Sequence, residues 1–138
     1  MRSKILMAAT IAVACAIAGC DRAETPAETR KDVSAARQEA GKDVADARRE
    51  ASKEIADART DAADGRSDAA AAQKQAAIKV AEANYDVAIA KADADHKVAV
   101  EKCEALTGAD RDACKSASDA ARDAAKSEAK ATLDRSKT

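Results

Sequence analysis

The chain has 138 residues, with 24 basic side chains against 25 acidic ones, a single tyrosine, and neither phenylalanine nor tryptophan. A net charge of −1 without a basic cluster argues against a nucleic-acid partner, which needs a clear cationic excess. The hydrophobic fraction is 46 %, but most of it is alanine, so the chain cannot bury a globular core large enough to offset its ordering entropy.

The first twenty residues read MRSKILMAATIAVACAIAGC. Arg2 and Lys4 form a short basic start. Ile5 to Ala18 carries no charge and is too short to span a bilayer comfortably, and small residues lead into Cys20. This is the layout of a secretory signal. Ile17-Ala18-Gly19-Cys20 resembles the lipobox of bacterial lipoproteins. That resemblance implies diacylglyceryl transfer to the Cys20 thiol, cleavage before Cys20 and acylation of the new amino group, so that the partner of this end is a membrane. Two or three acyl chains, at about 0.8 kcal/mol per buried CH2, hold a protein firmly where one does not. Asp21 implies retention at the inner membrane in enteric lipoproteins, with the outer membrane as the alternative. The expected division is a signal peptide over 1–19, a lipidated linker over 20–25, a long helical repeat region over 26–106, and a turn with a C-terminal helix over 107–136.

Cleavage leaves 119 residues with 22 basic and 25 acidic side chains. Twelve larger apolar residues remain among them, beginning with Val33 and ending with Leu133, and methionine is absent. Such a chain forms either long helices with a thin seam or a disordered polymer. Alanine, glutamate, lysine, arginine and glutamine favour the helix, and no proline follows Pro26.

Thr25-Pro26-Ala27-Glu28 has the form of a capping box with proline at the first helical position, which starts a helix near residue 26. An eleven-residue repeat follows: KDVSAARQEAG (31–41), KDVADARREAS (42–52) and KEIADARTDAA (53–63). Its apolar positions are Val33, Ala36 and Ala40, then Val44, Ala47 and Ala51, then Ile55, Ala58 and Ala62. They form one narrow stripe, and eleven residues make close to three turns, so the stripe runs nearly straight with a slight right-handed drift. The repeat falters at Asp64-Gly65-Arg66-Ser67. Glycine costs a helix about 1 kcal/mol relative to alanine, and Ser67 suits a new N-cap. We read 26–106 as a continuous rod here, with a turn over 64–67 and two packed helices as the alternative.

The period returns downstream. Ile78, Ile89 and Val100 are spaced by eleven, and so are Val87 and Val98. Two opposed stripes emerge, Ile78/Tyr85/Ile89/Ala92/His96/Val100/Cys103 and Val80/Val87/Ala94/Val98. A helix with apolar residues on two faces suits packing between two neighbours. His96 occupies the Tyr85 position of the repeat and reads as a stripe residue rather than a metal ligand.

The segment Cys103-Glu-Ala-Leu-Thr-Gly-Ala-Asp-Arg-Asp-Ala-Cys114 reads helix–turn–helix. Gly108 suits a helix C-terminal cap and Asp110 the N-cap of the next helix. Cys103 is placed one turn before the end of the first helix and Cys114 one turn into the second. Of four cysteines, Cys15 leaves with the signal and Cys20 is lipidated, so Cys103 and Cys114 remain to pair in an oxidising compartment. The ten-residue spacing, in a chain without strand signals, does not match a Cys-x-x-Cys redox site.

Residues 85–130, with Tyr85-x-Val87-Ala88 and Glu101-Lys102-Cys103 through Cys114-Lys115, resemble alanine- and lysine-rich, TolA-like envelope proteins of proteobacteria. That likeness implies periplasm, helix and disulfide, and supplies no activity. Residues 31–63 look like the eleven-residue repeats of LEA-type stress proteins. The chain ends Lys137-Thr138, without the terminal lysine of Braun-type attachment.

The expectation is therefore an all-α, coiled-coil-like protein: a long alanine-rich amphipathic helix followed by a disulfide-stapled hairpin. No catalytic constellation, metal site, cofactor or small-molecule substrate is evident. The seam residues Val33, Val44, Ile55, Ile78, Tyr85, Ile89 and Val100 would serve packing and self-association. The expected role is a lipid-anchored periplasmic spacer or stress-protective envelope component. The alternatives are an envelope binding module with the Cys103–Cys114 hairpin as recognition head on a 26–100 stalk, and a LEA-like chain that folds conditionally.

Overall fold

A computed structural model describes residues 22–64 and 69–138. They form three helices: α1 over Pro26–Asp64, α2 over Ala69–Cys103 and α3 over Gly108–Ser136. The fold is all-α, and Cys103 is bonded to Cys114.

The start of α1 is the reciprocal cap that its sequence encodes. The Thr25 amide and hydroxyl both donate to Glu28 Oε2, at 2.8 and 2.7 Å, and the Glu28 amide donates back to Thr25 Oγ1 at 3.3 Å. At 39 residues, α1 is about 58 Å long. All nine predicted stripe positions are buried or half-buried. Val33, Ala36, Ala40, Ala51 and Ala58 are buried, and Val44, Ala47, Ile55 and Ala62 are half-buried. The rest of α1 is exposed, apart from Thr29 and Asp32.

The favoured rod is corrected by the structure. α1 and α2 pack against each other in antiparallel fashion, with Asp61 bonded to Lys79 at 2.9 Å near one end and Glu39 paired with Lys97 towards the other. Residues 65–68, including Gly65, lie outside the described residues, as do the signal segment, Cys20 and Asp21. The physical reason for the fold-back is the stripe itself. A single rod would leave nine apolar positions in water, whereas the hairpin buries them against α2. The α1 stripe is thereby packed against α2 within the chain.

α2 lies between α1 and α3, as its two-faced pattern predicts. Ala94 is buried towards α1, and Cys103 towards α3. Ile78, Tyr85, Ile89 and Val100 are half-buried along α2. Val80 lines a groove between α2 and α3 with Tyr85 and Leu133. Among the described residues α1 and α3 do not touch. The helices therefore form a single layer rather than a closed bundle.

The two faces of this layer differ. On one, ion pairs tie α2 to both neighbours: Lys79 to Asp61, Lys97 to Glu39, Asp93 to Lys126 at 2.6 Å, and Glu82 to Lys137 at 2.8 Å. On the other, grooves open on either side of α2 and meet at Lys91 and Asp95. Alanine permits the close helix approach that produces this layer, but each buried alanine removes little area from water.

Candidate functional site: the disulfide-closed end of the layer

The turn between α2 and α3 carries the disulfide, and α1 begins beside it. Cys103 is the last residue of α2 and is fully buried, while Cys114 is the seventh residue of α3 and is half-buried. Their Cα atoms are 5.7 Å apart, within the ordinary range for a bridge. The staple thus sits at the end of α2 and nearly two turns into α3, displaced by about one turn on each side from its predicted place. Ser118 Oγ donates to the Cys114 carbonyl at 2.9 Å and covers the bridge from α3.

The turn also differs from its sequence reading. α3 starts at Gly108, with Thr107 as N-cap in an extended conformation, and not at Asp110. Gly108 has φ 53°, a left-handed geometry that glycine adopts without a Cβ penalty. The glycine therefore reverses the chain as expected, but α3 follows it immediately and takes Asp110 into its first turn. There the carboxylate faces the positive end of the helix dipole.

Arg111 organises the turn. Its Nε donates to the Leu106 carbonyl at 2.8 Å and lies 3.6 Å from Glu104, which also pairs with Lys115. Its Nη2 donates to the carbonyl of Arg22 at 2.9 Å. Next to this bond, the Glu24 amide donates to the Glu104 carbonyl at 2.9 Å. Residues 22–24 are thereby fastened to the α2–α3 turn, two residues beyond Cys20. Glu24 Oε2 is shielded from solvent and has no hydrogen-bond partner among the described residues.

Residues 26–100 are thus two packed helices and not one straight stalk below the disulfide turn. Because α1 and α2 double back, the disulfide turn and the start of α1 share one end of the layer. His96 bonds to Asp119 at 2.8 Å through Nε2, linking α2 and α3, which is the packing role that its repeat position predicts. Among the described residues no cluster of three or more His, Cys, Asp or Glu is placed to hold a metal ion, and no helix is long and apolar enough to cross a membrane.

Sequence reasoning missed the clasp between residues 22–24 and the turn, since two of its bonds end on backbone carbonyls and leave no side-chain signature. Arg111 was the available signal, a cation between two acids at a helix start. The chain matches no protein-family model, and no curated protein or solved structure matches it.

Proposed function

We propose that this chain is a lipid-anchored structural protein of the bacterial periplasm, a non-catalytic helical spacer held by acyl chains on Cys20. The observation that carries the reading is the junction Ile17-Ala18-Gly19-Cys20-Asp21, where an uncharged run ends at a cysteine and the chain turns polar at once. The paired cysteines support an oxidising compartment. The clasp at Arg22 and Glu24 supports the anchor, because a lipid at Cys20 would pull on a segment bonded to the disulfide-bearing turn. From that end the α1–α2 pair would extend about 58 Å into the periplasm. Asp21 favours the inner membrane.

Intact-mass measurement on protein extracted from bacterial membranes tests this reading. The expected mass is that of residues 20–138 plus acyl chains, with two thiols alkylated only after reduction. An unlipidated mass, or thiols free before reduction, would overturn it.

A further inference from the structure

Within α1, the charges that flank the apolar stripe fall on the two faces of the layer by sign. In each repeat an arginine follows the Val/Ile position by four residues, as at Arg37 and Arg48, and an acid precedes it by one, as at Asp43 and Glu54. At about 100° per residue these positions lie about 140° apart around α1. Arg37 and Arg48 line the open groove between α1 and α2, whose α2 wall carries Lys91 and Lys102. Both cation pairs are spaced by eleven residues, about 16 Å of helix. Lys91 is held by Asp95, whereas Arg37, Arg48 and Lys102 make no ion pair among the described residues.

The floor between these cations is small and apolar, and space over Gly41 is open: a Cβ built there meets nothing within 4 Å. The acids are on the other face. Glu54 lines a groove with Asp57, Glu82 and Asp86, whose one lysine, Lys79, is held by Asp61, and the field of Asp43 reaches Lys97. Asp43 and Glu54 are exposed, unpaired among the described residues and again eleven residues apart.

The geometry points to a second copy of this chain as the occupant of the basic groove, its α1 laid in the groove so that Asp43 and Glu54 meet the cations of the first copy. A helix fits a groove between two antiparallel helices, and the shared eleven-residue step brings both acids to cations at once. Donor and acceptor surfaces are different patches on opposite faces of the layer. The contact is therefore heterologous, so copies add to one another head to tail. This surface is separate from the buried seam and does not depend on the lipid at Cys20.

Sedimentation equilibrium of the full chain, in detergent micelles matched to the solvent density, tests the inference. At about 10 mM ionic strength, where charges act over about 30 Å, the weight-average mass should rise with concentration past twice that of one chain. It should return to that of one chain near 1 M salt. R37Q/R48Q and D43N/E54Q, both at exposed positions, should each remain single with unchanged helicity. Their equimolar mixture should form one-to-one pairs and nothing larger, because each variant keeps one working surface. A wild-type chain that stays single at low salt would overturn the inference. So would association that either double variant retains, since that places the contact elsewhere.

Discussion

Glu24 and Glu104 are joined through their backbones, the amide of the first donating to the carbonyl of the second across 2.9 Å, although eighty residues separate them in sequence. The bond closes the N-terminal arm onto the α2–α3 turn, and Arg111 reinforces it through the Arg22 carbonyl. Arg111→Ala removes the side-chain half of this clasp. The expected cost is about 1–2 kcal/mol. Faster hydrogen exchange confined to residues 22–25 and to the turn identifies the cause; exchange that rises evenly along α1 would refute it.

Glu24 itself is a poor use of that position. Its Oε2 is shielded without a partner among the described residues, and an unsatisfied buried oxygen costs about 1–3 kcal/mol. Glu24→Met keeps the amide bond and removes the orphaned oxygen. It should raise the thermal midpoint, and a lowered midpoint would show that the carboxylate has a partner in solution.

The disulfide matters more to α3 than to the α1–α2 pair. No residue of α3 is fully buried, and α3 touches only α2 among the described helices. A bridge closing so short a loop contributes roughly 2–3 kcal/mol by the chain-entropy estimate. C103S/C114S should therefore loosen α3 first, seen as loss of protection at residues 117–133 while residues 33–58 stay protected. Simultaneous loss along all three helices would contradict this order.

Several of these features were readable from the residues alone. The Val33/Val44/Ile55 stripe was, because helical periodicity needs only local spacing. The Thr25–Glu28 cap was, because both partners lie within one turn. The packing of α2 back onto α1 was not, since in the sequence Gly65 and Ser67 fit a rod or a turn equally well and the deciding term is burial against a distant helix. The basic groove was hidden for a related reason. Arg37 and Arg48 look like ordinary solvated arginines until the antiparallel register sets Lys91 and Lys102 beside them.

Acid should open the start of α1. Hydrogen bonds from the Thr25 side chain and backbone hold the Glu28 carboxyl below its usual value of 4.5. A depressed carboxyl stabilises the fold above the pKa of the unfolded chain and loses that contribution as pH falls through the folded value. At the alkaline end, Asp61 and Glu39 raise Lys79 and Lys97 above the usual 10.5, so their contribution is complete below that value and disappears as pH climbs past the folded ones. Helicity measured against pH should be level through the neutral range and fall below about 4.5 and above about 10.5. Glu28→Gln should flatten only the acid limb.

Gly41 sits inside α1, where glycine costs about 0.5–1 kcal/mol relative to alanine, and its surroundings have room for a methyl group. Gly41→Ala should raise the thermal midpoint by a few degrees. By contrast, Ala83→Leu should lower stability by about 1–3 kcal/mol, because Ala83 is fully buried. A calorimetric scan of the two variants separates open from filled space.

The eleven-residue period also makes the molecule a ruler. One added unit advances a helix by three turns, about 16 Å, and returns every face to nearly the same bearing. Growth of α1 by one unit would strand its new stripe residues unless α2 grew by a matching unit on the opposite side of the turn. Length in this architecture is thus quantised, and it is inherited in pairs. Homologous chains should differ by coupled duplications flanking residues 64–67, while the segment from Cys103 to Cys114 keeps its size.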